Sequence, residues 1–313
     1  DKSDYKNIFF IGIGGISMSA LAELMLAKGY KVYGSDRSPS INTDKLEKNG
    51  AKIYYEHKKE HIHGMDLVIF TDAISFDNEE YVEAVKQKID LVDRASFLGA
   101  VMKNYDKSIA VSGTHGKTST TSMLTEIIKD LDVNPTIMLG GQLKDIDGNI
   151  KIGDEKLFLT EACEYKANIL KYFPTTEIIL NIDEDHLDYF DNIDHIIRTF
   201  KGYVDNLRES DYVVINIDDE NAKTLLPIEN CKFFTFGIKN HADLMAKNIE
   251  FNEEGFPTYD LYLKDEKVAH VELSVLGRHN ILNSLAAIGA AYVNGISIKD
   301  SICLLYTSPS PRD

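Results

Sequence analysis

The sequence predicts an α/β protein in which two parallel-sheet units follow each other along the chain, the second with a small antiparallel addition. Short apolar strands alternate with helical segments over most of its length, which is the pattern of parallel sheets covered by helices. Glycine-rich turns follow two of these strands, at residues 12–17 and 113–118. Each turn joins a strand to a helix, so each lies where a helix N-terminus can bind an anion.

The composition is that of a globular protein with an excess of acidic groups. The chain has 313 residues, 43% of them hydrophobic and 27% charged, which is enough for two domains with separate cores. Its formal net charge of -16 disfavours duplex nucleic acid and anionic membranes as partners, because both bind clustered Lys and Arg. The composition leaves the oligomeric state open.

Three features favour a cytoplasmic location. The strand Asn7–Ile11 begins close to the N-terminus, without the basic segment and apolar stretch of an export signal. No uncharged apolar run approaches membrane-spanning length, which argues against membrane insertion. The cysteines are too widely spaced for a disulfide framework and suit a reducing compartment; they are Cys163, Cys231 and Cys303.

The first unit is predicted over residues 1–104 as a Rossmann-like parallel sheet. Its first strand, Asn7–Ile11, leads through the glycine-rich turn into a helix near Ser17–Lys28, which Gly29 ends. Further strands are predicted at Lys31–Gly34, Ala51–Tyr55 and Leu67–Thr71.

The turn after the first strand is typical of dinucleotide binding. Asp36 ends the second strand about twenty residues later, where an acidic group binds a ribose hydroxyl. Ser17 replaces the third glycine of that pattern, where it either crowds the helix against the strand or caps the helix, and this disfavours a nicotinamide cofactor. A second phosphate-binding turn lies at residues 113–118, and the two turns suggest two different nucleotides, of which the first unit binds a diphosphate-linked substrate. Its predicted contacts are Gly12, Gly14, Gly15, Ile16, Ser17 and Asp36.

The second unit is predicted over residues 105–303 and repeats the strand pattern. Parallel strands are expected at Ser108–Ser112, Lys156–Thr160, Glu177–Ile182, Tyr212–Ile217 and Lys232–Phe236. An antiparallel pair is expected at Tyr259–Leu263 and Lys267–Val275, followed by an Ala-rich helix at Asn280–Val293.

The turn at residues 113–118 predicts a phosphate loop for a nucleoside triphosphate. Small residues let successive N–H groups surround one anion, Lys117 reaches the outer phosphates, and the Thr118 hydroxyl can ligate Mg²⁺. Val111 stands where the usual spacing has a glycine, and an ordinary strand-to-helix turn is the alternative. The predicted contacts are Gly113, Thr114, His115, Gly116, Lys117, Thr118 and Ser119.

Acidic and histidine side chains directly follow two other predicted strands. Glu161 follows one, and His186 lies in the acidic segment after the next. Because the carboxyl ends of parallel strands share one edge, we expect Thr118, Glu161 and His186 to share Mg²⁺ ions. The alternatives are a solvated loop carboxylate, a structural histidine, or ligation by Asp185 or Asp188.

Three further polar residues have open roles. The amides of Asn280 and Asn283 can bind an adenine edge, and a helix cap by Asn280 is an equal alternative. Cys163 is predicted to be a small buried residue, because the sequence shows no arrangement that activates a thiol.

Residues 304–313 break the pattern of the chain. Two prolines and three hydroxyl residues cannot extend a core helix. The segment resembles translated sequencing-adapter sequence, and we predict a non-native tail, with a disordered native tail as the alternative. We accordingly expect the natural protein to continue past Cys303.

These motifs, in this order, resemble those of the Mur ligases, the ATP-dependent amide-bond-forming enzymes of peptidoglycan precursor synthesis. The resemblance covers nearly the whole chain up to about residue 303, and His115 favours the alanine-adding branch and the related tripeptide recycling branch. The motifs are residues 12–19, 34–36, 113–118, 161–164, 181–188, 216–219 and 277–280.

The resemblance implies that residues 1–104 bind UDP-N-acetylmuramate and residues 105–303 bind ATP. It implies adenine near Asn280 and Asn283. It also implies Mg²⁺ on Thr118, Glu161 and His186, and catalytic roles for Lys117, His186 and Glu161. Cys163 and Ser17 depart from the family, where many members carry Asp and Gly, and Lys201 lies about where other branches carry a carbamylated lysine.

The implied reaction proceeds through an acyl phosphate. The muramoyl carboxylate attacks the γ-phosphate of ATP, and the amine of L-alanine then attacks the acyl phosphate. Family members close a C-terminal domain over the reactants, so we expect this chain to be an inactive fragment that binds both nucleotides weakly. The alternatives are a tripeptide recycling ligase, an NAD-dependent oxidoreductase and a non-catalytic nucleotide-binding protein.

Overall fold

The computed structural model describes residues 4–143, 146 and 148–306. They form two compact units, which divide between Val101 and Met102, close to the boundary expected at residue 104. Among the described helices, none combines the length and the apolar character of a membrane span.

The first unit contains a five-stranded parallel sheet, as its alternating sequence predicts. Its central strand is buried on both faces, which explains the continuous apolar run from Ile8 to Ile11. The strands are β1 (Asn7–Ile11), β2 (Lys31–Ser35), β3 (Lys52–Tyr54), β4 (Leu67–Phe70) and β5 (Asp90–Asp93). They lie in the order β3-β2-β1-β4-β5.

Helices cover this sheet, and the first of them begins at the glycine-rich turn. They are α1 (Ile16–Ala27), α2 (Ile41–Lys48), α3 (Glu79–Gln87) and α4 (Arg94–Met102), with a 3₁₀ helix at Lys59–Ile62. Gly15 is the N-cap of α1, so Ser17 lies inside the first turn and does not cap the helix. Gly29 follows the helix with φ +89°, as expected of a glycine that ends a helix.

The second unit is built on a ten-stranded mixed sheet. Its strands are β6 (Lys107–Ser112), β7 (Thr136–Leu143), β8 (Gly148–Lys151), β9 (Leu157–Glu161), β10 (Thr176–Ile179), β11 (Tyr212–Asn216), β12 (Lys232–Gly237), β13 (Leu244–Phe251), β14 (Pro257–Leu263) and β15 (Glu266–Glu272). Their order is β15-β14-β13-β12-β11-β10-β6-β9-β7-β8. The pairs β13–β14, β14–β15 and β7–β8 are antiparallel and the rest are parallel, which confirms the predicted class with its antiparallel addition.

The core of this unit lies between the sheet and two helices. The helices of the unit are α5 (Lys117–Ile128), α6 (Ile193–Asp205), α7 (Glu220–Lys223), α8 (His279–Val293) and α9 (Ile298–Tyr306), with a 3₁₀ helix at Tyr165–Lys171. Helices α5 and α8 share one hydrophobic cluster with the strands. The alanines of α8 are fully buried there, because small side chains let the helix approach the sheet closely.

Several predicted boundaries differ from the structure. Strand β9 continues through Glu161, so this residue ends the strand rather than following it, whereas β10 ends at Ile179 and leaves residues 180–182 as a connection. Strand β13 is absent from the prediction because a bulge at Lys247 to Glu250 interrupts its alternating pattern. The antiparallel strands β7 and β8 are likewise unpredicted.

Helix α9 reaches into the segment predicted to be a tail. Leu305 is only 6% exposed and belongs to the core cluster of the unit, so residues 304–306 complete the helix. The prolines that argued against a helix come later, at 309 and 311. Residues 307–313, the rest of the predicted tail, lie outside the described part of the chain.

Candidate functional site

The turn between β6 and α5 has the backbone of a phosphate loop. Gly113 and Gly116 adopt φ of +140° and +86°, values that favour glycine. A Cβ on Gly116 would lie 2.6 Å from Asn283 Oδ1, and a Cβ on Gly113 would lie 2.9 Å from Leu180 Cβ. Gly116 is the N-cap of α5 and offers no side-chain cap, so the start of the helix is left to an anionic ligand.

An asparagine after β10 holds this loop in place. Asn181 Oδ1 accepts a hydrogen bond of 2.8 Å from the N–H of His115, and Asn181 Nδ2 donates one of 2.9 Å to the His115 carbonyl. The Thr114 hydroxyl accepts a further bond of 2.9 Å from the N–H of Asp183. The loop therefore keeps its shape through the adjacent strand connection. Asn181 belongs to the motif at residues 181–188 but is not among the predicted site residues.

Lys117, the predicted phosphate-binding cation, begins α5 and folds back over the loop. Its Nζ donates to the carbonyl oxygens of Gly113 and Thr114, the latter at 3.4 Å. The same nitrogen lies 3.7 Å from Glu164 Oε2. Because the side chain is 18% exposed, the ammonium is partly desolvated and its charge is poorly screened by water.

Glu164 is a site residue that the sequence reasoning missed. It is 2% exposed, and its Oε1 lies 3.9 Å from His186 Nε2 while Oε2 faces Lys117. Among the described residues, Oε2 has no hydrogen-bond partner. A buried carboxylate oxygen without a donor is costly, so this atom is suited to meet a further cation.

Glu161 brings a second buried carboxylate to the same loop. Burial raises its pKa, an effect opposed by the charge of Lys117, the N–H of Gly140 and the hydroxyl of Thr118. Its Oε1 is buried, with no hydrogen-bond partner in the described part of the chain. The structure therefore places Thr118, Lys117 and Glu161 together, as the sequence predicted.

His186 joins this group through Glu164. Its backbone has φ +52°, which is uncommon outside glycine and is often found at functional positions. The ring centroid lies 4.8 Å from that of Tyr165, whose hydroxyl donates to Asp188 Oδ2 at 2.8 Å. Asp188 is thus engaged by Tyr165, and Asp185 accepts from the N–H of His186 at 2.7 Å.

These side chains fit a magnesium ion. No group of three or more His, Cys, Asp or Glu side chains converges on one point in residues 4–143, 146 and 148–306, so a preformed cage of such ligands is not seen there. Magnesium typically takes one or two carboxylates and completes its shell with water and phosphate oxygens. Glu161, which lies beside the Thr118 hydroxyl, and Glu164, which lies beside Lys117, each offer an oxygen without a hydrogen-bond partner among the described residues and match that requirement.

The predicted adenine residues lie next to the phosphate loop. Asn283 Nδ2 donates to Asn280 Oδ1 at 3.0 Å, and Asn280 Nδ2 donates to the Leu276 carbonyl at 2.8 Å. The N-cap of α8 is Arg278, so the alternative role of Asn280 as a cap is wrong. Ser119 lies in the first turn of α5 and is half-buried.

Two further residues considered in the sequence analysis are Cys163 and Lys201. Cys163 is exposed, which corrects the prediction of a buried residue: in the loop after β9, its neighbours Ala162 and Glu164 point inward instead. Lys201 has a 69% exposed side chain on α6, and its Nζ lies 3.7 Å from Asp205 Oδ1.

The glycine turn of the first unit is shaped by Asp36. The N–H of Gly14 donates to Asp36 Oδ2 at 2.7 Å, and the N–H groups of Gly12 and Ile13 donate to the Ser35 carbonyl. Gly12 has φ +82°, and a Cβ there would meet the Thr71 side chain at 2.8 Å. The N–H groups of Gly12, Ile13 and Gly14 are therefore engaged within the protein.

A cavity of about 710 Å³ lies at the carboxyl ends of the strands in this unit. Gly12, Gly14, Gly15 and Asp36 line it, as expected of substrate-binding residues. Ile16 is 46% exposed, and the Ser17 hydroxyl accepts a hydrogen bond of 3.4 Å from Arg94. The cavity is also lined by residues that the sequence did not single out, namely Arg37, Ser40, His57, Ser75, Asn78 and Glu79.

Two protein-family models match the chain. The Mur ligase middle domain matches residues 111–291, which include the phosphate loop and the two asparagines of α8. The model of the Mur ligase family, catalytic domain, matches residues 7–106. The two matches correspond to the two compact units.

Similar proteins carry ligase names. The UDP-N-acetylmuramate--L-alanine ligase of Clostridium acetobutylicum is 48% identical over 297 residues, 95% of this chain and 65% of that protein. The chain thus spans less than two thirds of the length of this curated relative. The solved UDP-N-acetylmuramate-alanine ligase of Thermotoga maritima matches with a TM-score of 0.81 and 30% identity, over 96% of this chain and 67% of that one. A solved murein peptide ligase of Psychrobacter arcticus matches with a TM-score of 0.84 and 26% sequence identity, over 96% of this chain and 68% of that one.

Proposed function

This chain belongs to the Mur ligase family, and from that premise we propose that it serves the ATP-dependent joining of L-alanine to UDP-N-acetylmuramate in the cytoplasm. The product feeds peptidoglycan precursor synthesis. The names of its relatives support this substrate pair, and their 48% identity is high enough to favour a shared substrate over a shared fold alone.

One observation carries the proposal within the structure. The Lys117 ammonium, the start of α5 and two buried carboxylates, Glu161 and Glu164, lie around a single glycine loop. A loop that bound only a neutral ligand would not need two carboxylate oxygens without donors beside a lysine. A triphosphate with its counter-ion satisfies all of these groups at once.

The residues of this chain then act mainly by binding and charge stabilisation. Lys117 leaves the loop carbonyls and donates to the outer phosphate oxygens, where it offsets charge that grows as the γ-phosphoryl group moves. The N–H groups at the start of α5 bind the same phosphates. The muramoyl carboxylate attacks the γ-phosphorus, ADP leaves, and the acyl phosphate is then attacked by the amine of L-alanine with loss of phosphate.

A magnesium ion would contribute to the reaction through its positive charge. Thr118, Glu161 and His186 would hold Mg²⁺, with Glu164 beside them, and the ion would neutralise phosphate oxygens and polarise the transferring group. Glu164 lies between the two basic groups, with Oε1 3.9 Å from His186 Nε2 and Oε2 3.7 Å from Lys117 Nζ.

The first unit would hold the sugar nucleotide. Its cavity offers the uncapped start of α1 for the diphosphate, and Asp36 beside the glycine turn for the nucleoside. Asp36 already accepts hydrogen bonds from Gly14 and Arg37, so it shapes the turn in addition to any contact with a ribose hydroxyl.

A tripeptide recycling ligase is the second candidate. The similarity to the solved murein peptide ligase, with a TM-score of 0.84, favours it. They differ in the amine that attacks the acyl phosphate. The two are separated by supplying L-alanine or the tripeptide.

The proposal is tested by calorimetric titration of the 313-residue chain. We expect UDP-N-acetylmuramate and ATP with Mg²⁺ each to bind, and NADH not to bind. Binding of NADH alone would favour the rival oxidoreductase and contradict the proposal. Trapping of an acyl hydroxamate by hydroxylamine, in the presence of ATP and UDP-N-acetylmuramate, distinguishes a ligase from a non-catalytic nucleotide-binding protein.

A further inference from the structure

A buried carboxylate in the first unit holds two imidazoles. Glu80, in the first turn of α3, is 0% exposed. Its Oε2 lies 2.9 Å from His57 Nδ1 and accepts a hydrogen bond of 2.6 Å from the Ser35 hydroxyl. Its Oε1 lies 2.7 Å from His61 Nδ1. Such a cluster satisfies a carboxylate that would otherwise be costly to bury.

Only one of the two histidines reaches the substrate cavity. His61 has an 8% exposed side chain and stacks on Tyr54 with ring centroids 3.8 Å apart. His57 is 30% exposed and lines the 710 Å³ cavity together with Gly14 and Asp36. His61 therefore serves to hold Glu80. His57 contacts Glu80 through Nδ1 and also lines the cavity.

The inward contacts fix which nitrogen of His57 carries the proton. Glu80 accepts, so in the neutral ring the hydrogen lies on Nδ1, and Nε2 keeps its lone pair. The Ser35 hydroxyl, 3.1 Å from Nδ1, donates to the same carboxylate and does not compete for the proton. Nε2 has no partner among the described residues, so it is available as a hydrogen-bond acceptor in the cavity.

Strand order places this acceptor at the base end of a bound nucleotide. In a parallel nucleotide-binding sheet the diphosphate lies at the first glycine turn, and the ribose lies beside the acidic residue that ends the second strand. Here β1, β2 and β3 are successive neighbours, with Asp36 following β2 and His57 following β3. The next group of the nucleotide beyond the ribose is the base.

Resting on the proposed function, we infer that His57 Nε2 accepts a hydrogen bond from the N3–H of a uracil base and so selects UDP-linked substrates. Uracil carries a donor at N3, whereas cytosine carries a lone pair there, so the same acceptor attracts one base and repels the other. Glu80 is the positioning residue, since it holds the ring and fixes its tautomer.

The test measures affinity for UDP, CDP, N3-methyl-UDP and 2′-deoxy-UDP by calorimetry at pH 8.5. For the unmodified chain we expect UDP to bind about tenfold or more tighter than CDP or N3-methyl-UDP, a typical ratio for one hydrogen bond lost with its acceptor left unpaired. In His57→Phe the ratio should fall to about one. The exposed His63, on the same segment, provides the control His63→Phe, which should keep the ratio of the unmodified chain.

A second measurement tests the role of Glu80 without depending on stability. Nitrogen-15 NMR of the imidazoles should show an unprotonated Nε2 for His57, and Glu80→Gln should populate the other tautomer and reduce the UDP preference. A protonated Nε2 in the unmodified neutral ring would overturn the inference.

The possible failures are distinguishable. If His57→Phe leaves the ratio of UDP affinity to CDP affinity unchanged, the base contact is overturned although UDP still binds. The same holds if the substitution alters only the affinity for 2′-deoxy-UDP, since His57 would then contact the ribose. Absence of UDP binding to the unmodified chain overturns the proposed function together with this inference.

Discussion

Lys117 Nζ lies 3.7 Å from the buried Glu164 Oε2, so the cation that begins α5 and a carboxylate that follows β9 share one desolvated space. Lys117 follows β6, and Glu164 follows the neighbouring strand β9. Glu161 lies beside the same ammonium, so two carboxyl groups face one lysine, and a triphosphate must arrive with its own cation.

Replacing Glu164 by Gln should reduce the metal dependence of ATP binding. The amide preserves shape but removes one negative charge, so metal-free ATP should bind more tightly and ATP with Mg²⁺ less tightly. We expect the ratio of the two affinities to fall by about tenfold, the effect of ~1.4 kcal/mol. Titrations with and without EDTA measure it. Glu184→Gln, an exposed change nearby, should leave the ratio unaltered; an equal change in both variants would point to general charge alone.

Removing the Lys117 ammonium should weaken the binding of ATP. Hydrogen bonds from a charged group to phosphate contribute about 1.5–3 kcal/mol, so Lys117→Ala should weaken ATP by roughly tenfold to a hundredfold. Fluorescence titration with a labelled ATP analogue is a suitable measurement. Lys129→Ala, at the other end of the same helix and paired with Glu126, is the matched control and should bind ATP normally. Equal affinities for both variants would argue against a phosphate loop.

Adding one methyl group at Gly116 should disrupt the loop. Its φ of +86° is strained for a residue that carries a Cβ, and a Cβ there would lie 2.6 Å from Asn283 Oδ1 and displace that side chain. Gly116→Ala should destabilise the fold by about 1–3 kcal/mol and remove ATP binding. Gly141→Ala makes the same chemical change in open space and should stay within about 0.5 kcal/mol of the parent. Denaturant unfolding and nucleotide titration test both, and tolerance of alanine at 116 would contradict the loop geometry.

A buried carboxyl in the second unit should make stability depend on pH. Glu177 in β10 is completely buried, neither oxygen has a hydrogen-bond partner among the described residues, and burial raises its pKa well above 4.5. The folded protein therefore holds a proton that the unfolded chain releases above about pH 4.5, so this contribution to stability is complete below that pH and is lost as pH rises.

Glu177→Gln should therefore stabilise the protein at neutral and alkaline pH. We expect a gain of about 1.4 kcal/mol for each pH unit between 4.5 and the folded-state pKa, and no gain below 4.5, because the amide never ionises. Urea unfolding from pH 4 to 8 measures the slope, with the exposed Glu253→Gln as control. A variant with the same pH slope as the parent would show that Glu177 is ionised when folded.

The sequence predicted the elements better than it predicted contacts between them. Strand β1 has the predicted bounds, and the family resemblance is confirmed by both domain models. Buried apolar runs and glycine turns are local signals, and they suffice for such elements. Strand β13 lacked such a signal because Asn248, with φ +52°, interrupts its pairing.

Site residues with tertiary roles were harder to find. Lys117 belongs to a local motif, but Asn181 acts only by bonding to the backbone of His115 in another segment. Glu164 is buried between Lys117 and His186. Glu80, which lies in α3, contacts the imidazole rings of His57 and His61. Their positions just past strand ends or at a helix start are the signal that an edge-of-sheet argument could have used.

Strand register also makes the chemistry more fragile than the fold. Glu161 pairs with Val111 at the end of β9, on the same face as Leu157 and Leu159. Deleting a single residue earlier in this strand would bring Ala162 to the place of the carboxylate and would carry Glu161 to the buried place of Thr160. A one-residue shift therefore removes the carboxylate from the phosphate loop without changing the number of strands, so the presence of the sheet alone is a poor guide to whether a variant of this protein still works.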